Sequence, residues 1–286
     1  MEKEFFDFVY QRQLIWHKRF VLRQKPPWTD DQILKEYKII NVYRELDKGT
    51  LYILEKLKEI RDRKALLINT AFYRFFNRYG LYEDLGIEPF MDFNDKLKER
   101  LAGRLSMMKK RGKTLFNDAY LIAGKKGQEK YASVLDSLSW LNKHAGEITM
   151  KIDNSGKPEE SFEALREIPL VGSFLAYEIW TDLAYFGFFR QGWTENDFVS
   201  IGPGAKTGLE IIYGKSSIEN LGKLHLLQKD FLSKYKNPSW EEISYKKAFV
   251  KGPFLSIANI ENALCEFRKY HNLKNGKGKR RKFHLS

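Results

Sequence analysis

The chain has a single thiol, Cys265, in 286 residues, which excludes an internal disulfide framework and fits a reducing compartment; the cytoplasm is the expected location. That cysteine and five histidines show no metal-ligand spacing, so no structural zinc is predicted. No apolar run approaches the roughly 20 residues needed to span a bilayer. The opening MEKEFFDFVY carries acids where a secretory leader has a basic and then an apolar stretch, so neither a leader nor a membrane partner is expected. Sustained strand alternation, internal repeats and low-complexity segments are also missing, apart from a basic tail. Acid is in short supply as well: 37 Asp and Glu face 50 Lys and Arg, a net charge of +13. A field of that sign points to a polyanionic partner, nucleic acid before membrane.

What is present reads as helix. Thr29-Asp30-Asp31-Gln32 forms a start signal, after which Ile33, Leu34, Tyr37, Ile40 and Tyr43 recur at helical spacing with Asn41, Arg44 and Asp47 on the polar side. Ser216 with Glu219, and Ser239 with Glu242, repeat the signal. Turns are expected at 80, 86, 112, 124 and 154–156. The predicted class is all-α, and 43% hydrophobic content in 286 residues supports one large core spanning 1–286. Two lobes meeting near 153–160 are the alternative, because Asp153-Asn154-Ser155-Gly156-Lys157-Pro158 is polar and holds both helix breakers; a surface loop explains that stretch equally.

The most informative segment is 165–209. Ile168-Pro169-Leu170-Val171-Gly172 reads as a tight turn between two apolar helical runs. The amides that follow begin a helix, so Val171, Gly172 and Ser173 are placed to grip DNA phosphates without reading sequence. Phe174, Leu175, Ile179, Trp180 and Leu183 make the following helix apolar almost all round, hence central and buried. This arrangement resembles the helix-hairpin-helix superfamily of DNA glycosylases, whose catalytic aspartate follows the second helix; Asp197 is the matching residue. Phe174 stands where bifunctional members carry a Schiff-base lysine, so lyase chemistry is not expected, and Leu170 replaces a hairpin glycine.

Four segments together narrow the resemblance: PPWTDDQILKEYKIINVYRELDKGT, YRFFNRYG at 73–80, ENDFVSIGPGAKTGL, and ALCEFRKY with the basic tail. They look like the amino acid:DNA transferases, also described as α-glutamyl/putrescinyl thymine pyrophosphorylases, and like the related helical domain of hydroxymethyluracil DNA kinases. The resemblance covers roughly residues 20–283. It implies a glycosylase-like helical fold from a bacteriophage pathway that hypermodifies thymine, acting in the host cytoplasm. The implied partners are double-stranded DNA carrying modified thymine and an amino acid or polyamine; no organic cofactor is implied, and Mg²⁺ is left open.

The candidate site residues follow. Gly202 and Gly204, with Lys206, offer amides and an ammonium at a helix start, suited to phosphate or pyrophosphate; the glycines alternatively only permit a sharp turn. Asp197 is the acid/base candidate, or else a turn residue, with Asn196 beside it and Glu195 read as solvated. Arg23, Arg44, Asp47, Arg74 and Asn77 match motif positions and are expected in one cleft, Arg23 and Arg44 on phosphate. Ion pairing between helices is the alternative. On the last helix, Cys265 is a candidate nucleophile or a small buried hydrophobe, and Glu266 with Lys269 is part of the motif or a surface pair. Trp193 and Phe198 are candidates to stack on a base.

From Lys269 to Ser286 there are seven Lys or Arg and no acid. The tail 271–286, with Lys279, Arg280 and Arg281, together with Lys269 just before it, is expected to bind DNA non-specifically. Gly214-Lys215-Ser216 looks like the end of a Walker motif, but that motif needs glycine at 209, where the chain has Leu. The implied reaction is displacement of pyrophosphate from 5-(pyrophosphoryloxymethyl)uracil in DNA by an amine, with the base flipped out of the duplex. The alternatives are a monofunctional glycosylase and a non-catalytic helical DNA-binding subunit.

Overall fold

The computed structural model describes residues 1–117, 124, 126–245, 253–278 and 282. Among them the chain runs through α1 (Glu2–Trp16), α2 (Gln32–Glu36), α3 (Lys48–Leu57), α4 (Arg63–Phe76), α5 (Leu81–Asp84), α6 (Asp95–Lys110), α7 (Lys130–Asn154), α8 (Pro158–Arg166), α9 (Ser173–Tyr185), α10 (Pro203–Tyr213), α11 (Ile218–Leu232), α12 (Trp240–Ile243) and α13 (Ile257–Lys274). The only β pairing among the described residues is two isolated bridges, Tyr37 with Lys282 and Lys236 with Ser239. The fold is all-α.

The helices sort into two compact units, one built from residues 1–47 and 195–286, the other from the continuous stretch 48–194. In the second unit α4 is the central helix, buried without interruption from Ala65 to Phe76 and packed by α3, α7 and α9. Burial on every face forces the one cation of that stretch, Arg74, to be paired. Arg74 Nε and Nη2 donate to the two Asp182 carboxylate oxygens on α9 at 2.5 and 2.6 Å, and Glu178 lies 3.1 Å from Nη1. Leu175 to Tyr185 of α9 are buried as expected, but Phe174 at its start is 50% exposed. The stretch 153–158 lies inside this unit, as the turn from α7 into α8. Gln191 Nε2 holds it closed by donating to the carbonyls of Ile152, Asp153 and Ser155 at 2.9–3.1 Å.

The first unit is organised around α13, against which α1, α10 and α11 pack. Phe5 and Phe8 of α1 meet Phe267, and Phe8 also meets Tyr270. Local start signals behave largely as expected: Ser239 and Glu242 form a reciprocal capping box, while Ser217 rather than Ser216 caps α11. The helix expected from 30 to 47 is a correction. α2 is capped by Asp31, ends at Glu36, and gives way to extended backbone at Tyr37. The backbone groups that would continue it are taken by other elements. Ile39 O accepts from Arg12 Nε at 2.9 Å, and Ile40 N donates to Glu266 Oε2 at 3.1 Å. A run of β-branched Ile39, Ile40 and Val42 makes that exchange easy.

Candidate functional site

The first turn of α13 leaves amides without helical partners, and loop 195–202 supplies some of them. Ser256 Oγ accepts from Asn259 N at 3.1 Å, Asn196 Oδ1 from Ile257 N at 3.0 Å, and Glu195 O from Ala258 N at 3.3 Å. Asn196 is therefore pinned as a capping side chain. The same attachment carries the Glu195 side chain inside: the residue is 0% exposed, and neither carboxylate oxygen has a hydrogen-bond partner. Burial pushes its pKa up to about 7, with repulsion from Glu45 and Asp197 adding in the same direction. Glu195 thus titrates near neutrality, where general acids and bases work best.

A second buried carboxyl comes from the short 3₁₀ turn Arg44–Leu46. Asn259 fixes that turn from both sides: its Oδ1 accepts from Arg44 N at 2.7 Å, and its Nδ2 donates to Glu45 Oε1 at 3.2 Å. Glu45 is 1% exposed, its Oε2 has no hydrogen-bond partner, and burial raises its pKa. Asn262 Nδ2 donates to Asn41 O at 2.9 Å and anchors the strand-like stretch leading in. Loops 39–47 and 195–202 are thus both clamped to one helix, and two acids are held where water is excluded. Glu195, expected to be solvated, is corrected to a fully buried carboxyl, and Glu45 does not stand out in the sequence, where it is one acid in a mixed polar and aromatic stretch.

Asp197 lies two residues beyond Glu195 and is exposed. Lys206 is also exposed, on α10. The glycines of the GPGA turn serve helix packing. The Gly202 N–H donates to Glu261 Oε1 at 3.0 Å, so a carboxylate already occupies that helix start. A Cβ at Gly204 would run into Cys265 Sγ, and one at Gly208 would lie 2.6 Å from Leu264 O. The expectation that these amides stand open to pyrophosphate is corrected accordingly: α13 fills the space. Cys265 is corrected too, because burial raises its thiol pKa, the direction opposite to an activated nucleophile. Glu266 is 1% exposed, accepts from Ile40 N and is paired with Lys269, so both residues hold loop 39–47 and α13 together.

Arg44 and Asp47 are half-buried in the first unit, and Arg23 is exposed on a loop with φ of +53°. Arg74 and Asn77 belong to the second unit. Arg74 is consumed by Asp182 and Glu178, and Asn77 is the left-handed C-cap of α4 that accepts from Arg74 Nη1. At the α8–α9 turn Gly172 and Ser173 are exposed, Val171 is buried, and Leu170 adopts φ of +67°. A non-glycine residue there is strained. The entry helix displays Glu159, Glu160 and Glu163 to solvent, with Glu167 just beyond. Trp193 is half-buried and Phe198 is 9% exposed. Lys279, Arg280 and Arg281 lie outside the described residues. Among the described residues no cluster of three or more His, Cys, Asp or Glu is placed to hold a metal ion, and no helix is long and apolar enough to cross a membrane.

Together these features define an all-α protein with a buried-carboxyl site at the start of its last long helix and a helical hairpin in its other unit. Residues 1–280 match the family described as "5-hmdU DNA kinase, helical domain", and the chain belongs to that family. A curated relative, the 5-hmdU DNA kinase of Bacillus phage SP10, is 28% identical over 288 residues, 94% of this chain and 44% of that protein. The chain therefore spans less than half the length of that relative. No solved structure matches.

Proposed function

We propose that the chain acts on thymine-derived bases in DNA and replaces the pyrophosphate of 5-(pyrophosphoryloxymethyl)uracil with an amine from an amino acid or polyamine. The observation that carries the proposal is the carboxyl pair in loop 195–202: Glu195, buried and titrating near pH 7, directly behind solvent-facing Asp197. In the reaction the amine nitrogen bonds to the exocyclic C5 methylene, the carbon–oxygen bond to pyrophosphate breaks, and the amine proton passes to Asp197. Glu195, holding its proton up to about neutrality, keeps a second negative charge away from Asp197. Lys206 and Arg23, both exposed cations, are assigned to the departing anion. The family match, to a 5-hmdU DNA kinase helical domain, the net charge of +13, and the hairpin of α8 and α9, which resembles that of glycosylases, support DNA as the substrate.

A second reading, a DNA-binding module without chemistry of its own, is favoured by one observation: the GPGA turn is filled by α13 and Glu261 rather than open to a leaving group. The test supplies DNA containing 5-(pyrophosphoryloxymethyl)uracil with glycine, glutamate, lysine or putrescine, with and without Mg²⁺, then digests it to nucleosides for mass spectrometry. An amine-dependent adduct with intact glycosidic bonds and released pyrophosphate is expected. Free base and abasic sites identify a glycosylase. A gel shift without any product leaves the binding module.

A further inference from the structure

The first unit also contains a cleft of about 260 Å³ formed by the end of α1, the loop after it and α2. Its walls bring together the rings of Trp16, Phe20 and Trp28 with the cations of Arg12, Arg19 and Lys35, and among the described residues no carboxylate lines it. The Arg19 guanidinium lies 4.9 Å from the Phe20 ring centre and 5.1 Å from that of Trp28, so these faces already hold a flat, positively charged group. Trp28 is fixed by donating from Nε1 to Gln24 O at 2.7 Å. Arg12 spends Nε on Ile39 O and Nη2 on Asn41 Oδ1, while its Nη1 is buried without a hydrogen-bond partner. A buried guanidinium is costly, and because Arg12 lines the cleft its charge attracts a carbonyl oxygen seated there.

The surrounding backbone is unusual as well. α1 continues into a π-helical turn, His17–Val21, a geometry that often marks functional positions. Phe20, Val21 and Leu22 there are about half exposed, at 55, 51 and 51%. The segment Lys18-Arg19-Phe20-Val21-Leu22-Arg23-Gln24-Lys25, of which Arg19 and Phe20 line the cleft, carries four cations and no acid. Aromatic faces, the Arg12 cation in the wall and a basic segment alongside match the three parts of one nucleotide: a ring to stack, a carbonyl to attract, and a phosphate to neutralise.

We infer that this cleft receives a single pyrimidine nucleotide, its ring against Trp28 and Phe20, a ring carbonyl toward Arg12, and its phosphate on Arg19 and the basic segment that carries Arg23 and Lys25. The nucleotide comes either from a DNA strand, as a base turned out of its stack, or free from solution. The inference rests on the DNA reading above only for the first source and is independent of which reaction follows.

The test titrates the full chain with dTMP, with deoxyribose 5-phosphate and with single-stranded oligothymidylate, by calorimetry and tryptophan fluorescence. Trp28→Ala and, separately, Phe20→Ala are compared with wild type; Phe20 is exposed on the π-helical turn and Trp28 is half-buried in the loop after it, and neither belongs to the buried core. Loss of one stacking ring should weaken dTMP and oligothymidylate binding by about 5- to 150-fold, and Trp28→Tyr should restore most of it. Ring-dependent binding of the oligonucleotide above that of dTMP identifies DNA as the source, and the reverse identifies a free nucleotide. Binding of deoxyribose 5-phosphate as tight as that of dTMP, affinity unchanged in both ring variants, or no binding of either nucleotide probe overturns the inference. None of these results bears on the amine-dependent product assay, so the two readings fail separately.

Discussion

Replacing Glu195 by Gln should make the protein more stable above neutral pH while leaving the proposed chemistry in place, because Gln, like the protonated carboxyl, brings no charge beside Asp197. Buried at 0% exposure, the carboxyl titrates at about 7 rather than its ordinary 4.5. Between those two values the folded chain keeps a proton that the unfolded chain has released. Stability therefore falls as pH rises from 4.5 to 7 and does not fall further beyond. At 1.36 kcal/mol per pH unit, the step is about 3 kcal/mol. Gln occupies nearly the same volume and never ionises, so Glu195→Gln should equal wild type near pH 4.5 and exceed it by about 3 kcal/mol at pH 8. Urea denaturation at the two pH values reads this directly, since the two proteins differ only in the Glu195 carboxyl and the repulsion it exchanges with Glu45. Equal wild-type and variant stabilities at pH 8 would refute the claim that this carboxyl is ionised at a cost inside the fold. A variant more stable yet unable to transfer the amine would leave the burial argument standing and show that Glu195 does more than stay neutral.

Asp197→Asn should leave the denaturation midpoint within error of wild type, since the residue is exposed, and lower amine-dependent adduct formation by about 10² to 10⁴; full turnover would return Asp197 to a turn role. Arg74→Met should cost about 3–5 kcal/mol, because it strands the buried Asp182 carboxylate, and the loss should shrink in the double variant with Asp182→Asn; a single variant as stable as wild type would contradict the pairing. Gly204→Ala should destabilise by about 1–3 kcal/mol through the clash with Cys265 Sγ, and Cys265→Ala should relieve part of it; strictly additive effects in that double-mutant cycle would show the two are not in contact. Cys265→Ser alone should retain transfer activity, and its loss would revive the thiol as nucleophile.

What the sequence makes legible here is local. The Ser239 and Glu242 box, the left-handed glycines at 80, 86 and 112, and the buried apolar run after Gly172 all depend on neighbours a few residues away. The glycines at 202, 204 and 208 illustrate the limit, since a phosphate-binding turn and a close helix crossing demand the same missing side chain. Only the position of α13 tells them apart. Residues 37–43 have helical spacing yet stay extended, because Arg12 and Glu266, far away in sequence, claim their backbone. Glu195 was passed over for the same reason: its burial follows from capping α13 at Ala258, a contact no local pattern encodes. The acid expected to act, Asp197, is the one that stayed at the surface.

The order of the chain also sets the order in which its parts can be completed. The 48–194 unit is continuous and has all its partners once residue 194 has been made, whereas the other unit joins its first 47 residues to material that arrives last. Phe5 waits for Phe267, a delay of roughly 13–50 s at ribosomal rates of about 5–20 residues per second. Until α11 brings Phe231 to Phe6, late in that interval, the apolar residues of α1, including Phe5, Phe6, Phe8 and Val9, lack the helices that cover them. The nascent protein thus passes through a stage with one finished unit and one sticky amphipathic arm. Expression at low temperature or with a holding chaperone should raise the soluble yield by protecting that arm rather than by changing the finished fold.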